Sequence, residues 1–455
     1  MCESPRRRFS SRRSQAGRRP ALRRSYPSML RRAIEEFVPD LRLMPDFTTE
    51  RWMPRYVALV AVLMALGAAR NLAARFAKAR ETVVCFFPSR RRPGKSIQGF
   101  NAALATQSQG LAQSFVLALR KAVVDLSAPY YKTHGFVLIG VDGSRVECPM
   151  TLANETAFGT AGKAKTGPQQ FLTTAFCAST GLLWDYRRGD ARSSERSHLL
   201  EMLNTFPERA MILADAGFTG YDVFKTILDS LRRMLIRVGS NVRLLRKLGF
   251  VVEQHEGIVY LWPQGARRAG LPPLILRLIS FTGKRNQQVH LLTDVLDQAE
   301  LSDAQAIEIY GLRWGIEVVY RSIKQTMGHR RMLSDSPEGA RAELDWAVLG
   351  FWLIGLLAFK RQLQRKAGPC AWSPAMTLSV LRRACDASCS GKRGPHLETE
   401  LAAAHRDDCK RTSSKKSRHW PAKKREKPPG SPKARNATEL EIAQAAALKE
   451  KKVAA

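Results

Sequence analysis

Acidic residues are scarce in this chain: 40 Asp and Glu stand against 74 Lys and Arg, a formal net charge of +34. So cationic a molecule attracts polyanions, and its charge argues against an enzyme of small neutral substrates. Long apolar runs are missing too. The two most apolar stretches, Val57 to Ala69 and Trp346 to Phe359, run about 13 and 14 residues, whereas a membrane span needs roughly 20. Both are therefore expected as buried helices, with no membrane partner. No apolar segment follows the first arginines closely enough to make a secretory signal. Eight cysteines are scattered without paired spacings, which excludes a secreted disulfide framework. Cys385 and Cys389, with His396, His405 and Cys409 beyond, form a candidate zinc set, but their spacing fits no standard finger. No internal repeat and no clear helix-turn-helix signature are present.

What is there is unevenly placed. Residues 1–32 hold eleven arginines among Ser and Pro, and the stretch from Lys410 to Arg435 is a second basic block. Both are expected as flexible arms that contact DNA without reading its sequence. An arm of this kind also fits a start codon placed upstream of the true one. Between the arms, 44% hydrophobic residues suffice for a sizeable core, and the length allows two or three domains.

One short segment carries most of the chemistry: Tyr310-Gly-Leu-Arg313-Trp314-Gly-Ile-Glu317-Val-Val-Tyr-Arg-Ser-Ile-Lys324. On a helix at roughly 100° per residue, Tyr310, Arg313, Glu317 and Lys324 share one face. Leu312, Ile316, Val319 and Ile323 fall on the other. One face can bury; the other offers a carboxylate flanked by two cations and a phenol. Carboxylates hold hard metal ions and cations hold phosphate oxygens. Taken alone, the segment is also an ordinary amphipathic helix with a charged edge.

Two upstream aspartates end short apolar runs. Phe136-Val-Leu-Ile-Gly-Val leads into Asp142-Gly, and Ala210-Met-Ile-Leu-Ala leads into Asp215-Ala-Gly-Phe. Each reads as a buried strand ending in a turn, with its carboxylate at the end where α/β sheets place ligand sites. A plain turn Asp is the simpler reading of each.

The spacing Tyr-x2-Arg-x3-Glu-x6-Lys resembles the YREK signature of the DDE transposases of bacterial insertion sequences, in the branch called insertion-sequence family four. With Asp142 and Asp215 upstream in order, the resemblance covers roughly residues 130–360. It implies an α/β, RNase H-like catalytic core interrupted by a β-rich insertion, with a helical N-terminal region and basic disordered tails. It implies a catalytic and metal-holding triad of Asp142, Asp215 and Glu317. Three carboxylates without His or Cys fit Mg2+, with Mn2+ as a substitute, better than zinc. Tyr310, Arg313 and Lys324 would then grip DNA. Trp314, at the edge of the same face, can stack on a base or pack in the core. The implied partners are double-stranded DNA, both the element's terminal inverted repeats and the target, and a second copy of the chain, since two ends are cut together. The implied location is the cytoplasm, on the nucleoid.

The expected layout is a basic arm at 1–32 and a helical region at 33–130 for end recognition. The first part of the core follows at 131–231, a β insertion at 232–300, the rest of the core at 301–369, and a polar basic tail at 370–455. Asp190 and Glu195, in Asp190-Ala-Arg-Ser-Ser-Glu195-Arg-Ser-His198, are rival acids expected to be structural. Arg145 is within reach of a phosphate, and Arg243 and Trp262 are candidate insertion contacts. Two other functions share these features: a basic DNA-binding relic of the same fold, and a metal-dependent nuclease that cuts without joining.

Overall fold

The run Phe136–Val141 has no polar residue on either face, so it suits only a strand covered on both sides. The computed structural model, described here for residues 26–43, 51–87, 92–161, 167–250, 257–283, 286–365, 372–406 and 429–453, places it there. A short strand β1 (Lys132–Thr133) leads into β2 (Phe136–Glu147), whose first six residues are fully buried. β3 (Gln169–Cys177) and β4 (Leu182–Gly189) follow as an antiparallel meander. β5 (Met211–Ala214) then runs parallel to β2 on its other side, and β6 (Arg233–Val238) runs parallel to β5. The order β4-β3-β2-β5-β6, with the last two strands parallel to the first, is an RNase H-like α/β core.

The insertion does not stand apart. Its strands β7 (Arg243–Arg246), β8 (Ile258–Leu261), β9 (Leu274–Thr282) and β10 (Gln288–Thr293) continue the core sheet, because β10 pairs antiparallel with β6. The expected boundary at 232 cuts off β6, a core strand; the added hairpins begin after Val238. A last strand, β11 (Lys433–Asn436), pairs with β7 and completes an 11-stranded sheet.

The apolar run Trp346–Phe359 is the middle of a longer helix, Pro337–Gln364. At 28 residues that helix is long and apolar enough to cross a membrane, but it is almost wholly buried within the protein. It packs against β4 and against the N-terminal helices Pro54–Leu66 and Ile97–Ser127. There Trp346 donates a 3.0 Å hydrogen bond to Ser108 and meets the Phe115 ring edge-on. The helical N-terminal region thus shares one core with the sheet.

The expected tails need correction. Residues 26–32 are not a disordered arm: helix Tyr26–Ile34 buries Leu30, Ala33 and Ile34. Nor is the chain loose from 370. Helix Pro374–Ser390 buries Leu378, Leu381 and Ala384, spaced for one helical face. Arg361 ties the short helix Leu397–Ala402 to the body by a forked pair with Glu398, at 3.1 and 3.0 Å, and also grips Glu36. β11 is followed by helix Glu439–Val453, whose Glu441 receives Arg435 and Arg267 and is held down at about 2 by those partners. Polar composition hid these elements, because their apolar faces are narrow. Residues 1–25 and 407–428, including Cys409 and most of both basic blocks, lie outside the described residues. Cys385 and Cys389 are free thiols. Neither they nor His396 and His405 join a metal-binding cluster among the described residues.

Candidate active site

β2 and β5 are neighbours in parallel, with Gly140 of β2 paired to Leu213 of β5. Two residues further on stand Asp142, within β2, and Asp215, just past the end of β5. The register therefore sets both carboxylates at one level and on one face, on strands that neighbour each other at about 4.8 Å. Each is fixed locally. Asp142 Oδ1 accepts from the Gly143 N–H at 2.9 Å, and Asp215 Oδ1 accepts from Gly217 N–H at 2.8 Å, capping a short 3-10 turn.

The helix carrying the third acid is less regular than its sequence suggests. Helix Asp303–Leu312 ends at a tightened turn through Arg313 and Trp314, where Ile316 and Glu317 bond three residues back. Helix Gly315–Arg321 follows, then a widened π turn, Ser322–Thr326, closed by Met327 N–H to Ser322 O at 2.8 Å. Such turns frequently mark functional sites. Ile316, Val319 and Ile323 are buried as expected. Glu317 is exposed, facing a cavity of about 330 Å³ that it shares with Asp142, Ser144, Tyr320, Arg321 and Lys324.

The Phe176 ring of β3 holds this helix against the strand. A Cβ on Gly140 would lie 2.1 Å from it and one on Gly315 would lie 2.6 Å from it, so the ring fills the space both glycines leave. Tyr320, one turn beyond Glu317, donates to the Asp142 carbonyl at 2.6 Å. Lys324 donates to Ser144 Oγ and to the Arg145 carbonyl, both at 2.6 Å. Three contacts thus link the acidic helix to the acidic strand.

Tyr310 and Arg313 are not on an open face. Both are over nine-tenths buried. Among the described residues, the Tyr310 hydroxyl and Arg313 Nε nonetheless have no hydrogen-bond partner. Burial raises the Tyr310 phenol above its ordinary value, with Arg313 opposing. Trp314 is 59% exposed, so it does not pack in the core; Arg313 lies 5.9 Å from its ring centre. Trp262, by contrast, is buried and donates to the Leu271 carbonyl at 2.8 Å. Arg145 lies over the Phe171 ring at 5.2 Å.

The electrostatics mark one crowded anionic spot. Asp142 is pushed up to about 6, first by burial, then by Asp215, with Glu317 adding to it and Arg313 opposing. Glu195, first residue of helix Glu195–Met202, is pushed up to about 7 by burial and then by Asp215 and Asp142. In the sequence it is a rival acid at a possible helix start, with no catalytic role assigned; its place directly after the third core strand brings it to the aspartates. Asp190 accepts from Arg192 N–H and Ser193 in its own turn and takes no part.

Like charges gathered in a half-buried place, with acidic oxygens as donors, fit a hard divalent cation. Among the described residues, no three acidic, His or Cys side chains close on a single point.

A parallel pair of strands, each leading into an aspartate and faced by a helix that presents a glutamate, is an RNase H-like arrangement. Residues 134–352 match the model of the family described as the transposase DDE domain. The chain is 27% identical over 236 residues to the transposase InsG for insertion sequence element IS4 of Escherichia coli (strain K12). Over this stretch the chain is similar to DDE transposases of insertion sequences. That match covers 49% of this chain and spans about half, 52%, of the curated relative. A solved piggyBac transposase synaptic complex with hairpin DNA aligns over 86% of this chain and 88% of that one. Its TM-score is 0.44 and its identity 14%, and no residue is carried over from it.

Proposed function

We propose that this protein cuts DNA at the ends of an insertion element and joins the freed 3′ ends to target DNA. The observation that carries the reading is the shared level of Asp142 and Asp215 on adjacent parallel strands, with Glu317 facing the same cavity. In this reading those three carboxylates hold Mg2+, or Mn2+ in its place. When bound, a pair of such ions activates the attacking water or 3′-hydroxyl and stabilises the leaving oxygen.

The chain's own residues do the positioning. Asp142 and Asp215 are kept from swinging by their backbone N–H bonds. Lys324 and Arg313 bring positive charge to a backbone phosphate, and the unpartnered Tyr310 hydroxyl offers a donor once DNA draws near. Trp314 offers an exposed ring for an unstacked base. Double-stranded DNA, both the terminal inverted repeats and the target, is the substrate. A homodimer brings two ends together, and the protein acts in the cytoplasm on the nucleoid. The helical region at 33–130 recognises the ends, and the hairpins of β7–β10 reach DNA beside the cut.

The test uses purified full-length protein, DNA carrying the gene's own flanks, and Mg2+, beside Glu317→Gln. Nicks at the flank boundaries and joined products, both lost in the variant, are expected. Binding without metal-dependent cutting would leave a DNA-binding relic, and cutting without joining would leave a nuclease.

A further inference from the structure

Glu195 stands where a carboxylate should not stand alone. A Cβ on Gly217 would lie 2.4 Å from Glu195 Oε1 and 2.9 Å from Asp215 Oδ1. A Cβ on Gly143, the residue after Asp142, would lie 2.8 Å from Glu195 Oε2. The Glu195 carboxylate therefore reaches across from its helix and lies between the turns that carry both aspartates. It occupies room that exists only because residues 143 and 217 have no side chain. Despite this, it forms no hydrogen bond and no ion pair among the described residues. The nearest cation on its own helix, Arg196, donates instead to the Gly217 carbonyl at 2.7 Å. Its helix neighbour His198 is bonded to Thr173 at 2.9 Å.

A half-buried carboxylate beside two others is repelled by them, and a cation at the spot would offset that repulsion. Its helix is well anchored, since His198, Leu199 and Met202 are buried. The side chain is thus held at the spot by its fold.

We propose that Glu195 is a further acidic residue of the metal site, set between Asp142 and Asp215 and contributing to cation affinity there. The proposal rests on the transposase reading for the identity of the site, but adds a residue outside the Asp142, Asp215 and Glu317 set. Placed on the helix after the third core strand, Glu195 reaches the turns of both aspartates, whereas Glu317 approaches through the cavity beside Ser144.

The test titrates Mn2+ into full-length wild type, Glu195→Gln, Glu195→Ala and Asp142→Asn, following free Mn2+ by electron paramagnetic resonance. Melting temperature is followed with and without Mg2+, and nicking of flank DNA is measured alongside. Glu195→Gln is expected to weaken Mn2+ binding by roughly tenfold or more. It should raise the metal-free melting temperature, because a like charge is removed, and shrink the increase on adding Mg2+. Glu195→Ala should show the same loss of affinity, which separates charge from shape. Suppose Glu195→Gln and Glu195→Ala bind Mn2+ within twofold of wild type and nick normally while Asp142→Asn does not. The proposal is then overturned and the transposase reading stands. If wild type itself neither binds Mn2+ nor nicks, both fall together.

Discussion

The Tyr320 hydroxyl donates a 2.6 Å hydrogen bond to the backbone carbonyl of Asp142. The same oxygen accepts from the Thr174 N–H at 3.2 Å and from its hydroxyl at 3.1 Å, both buried. One phenol thereby joins β2, β3 and the helix of Glu317. Tyr320→Phe keeps the ring and removes only these bonds. Leaving a buried carbonyl and a buried N–H unsatisfied costs about 1–3 kcal/mol. We expect a lower melting temperature and slower single-turnover nicking, with end-DNA affinity unchanged. An equal loss of binding and nicking would mean that the phenol serves the fold alone.

Phe176 offers a second check on the same alignment. Gly315→Ala sets a methyl 2.6 Å from its ring, so the ring or the helix must shift. Overpacking of this sort costs about 1–3 kcal/mol. Here it also pushes Glu317 away from Asp142. Adding Phe176→Leu to the same chain should restore part of both stability and nicking, a coupling that a double-mutant cycle reads directly. Strict additivity of the two changes would rule out the contact.

The acids were readable in the sequence because each ends an apolar run or lies on a helix with two distinct faces. Strand pairing then decided what linear spacing does not. The level match of Asp142 and Asp215 comes from the Gly140–Leu213 register, which no local pattern encodes. Glu195 read as a structural acid because its place depends on two glycines far away in the chain, and Tyr320 was passed over because a Tyr on a helix has many ordinary uses. Uniform helical phasing also misplaced Tyr310 and Arg313. The tight turn at Arg313 and the π turn at Ser322–Thr326 break the 100° step on which the phasing relied. The 372–406 helices were missed for a different reason: their buried stripes are diluted by Arg, Cys and Ser.

Trp314 gives a clean separation of binding from folding. At 59% exposed it has little stability to lose, so Trp314→Ala should change the melting free energy by no more than about 0.5 kcal/mol. If its ring stacks on an unpaired base at the element end, DNA affinity should fall by about 1–3 kcal/mol. The loss should appear on single-stranded or mismatched ends and shrink on fully paired duplex. Arg313→Ala should instead weaken binding on all sequences and flatten the salt dependence by about one unit of slope. Identical losses on every DNA for both variants would argue against base stacking by Trp314.

His329 predicts a pH dependence away from the active site. It is fully buried, with Nε2 2.8 Å from the Ala65 carbonyl and Nδ1 3.3 Å from Arg75, and Glu343 lies 3.9 Å away. Burial, then the Arg75 charge, lowers it from 6.5 to about 4. Above 6.5 the ring is neutral folded or unfolded, so its contribution to stability is complete. As pH falls from 6.5 toward 4 the unfolded chain takes up a proton that the folded chain refuses, and stability drops by at most about 1.4 kcal/mol per pH unit. Glu343 works against this, since burial raises its carboxyl and the folded chain keeps that proton longer. Arg75 stays charged throughout the window, though burial lowers it. The His contribution is therefore read as a difference between two chains. Chemical denaturation of wild type and His329→Gln at pH 7, 6 and 5 should show a steeper acid loss in wild type, because Gln can keep the bond to Ala65 without titrating. Parallel curves would mean that the ring is charged in the folded protein.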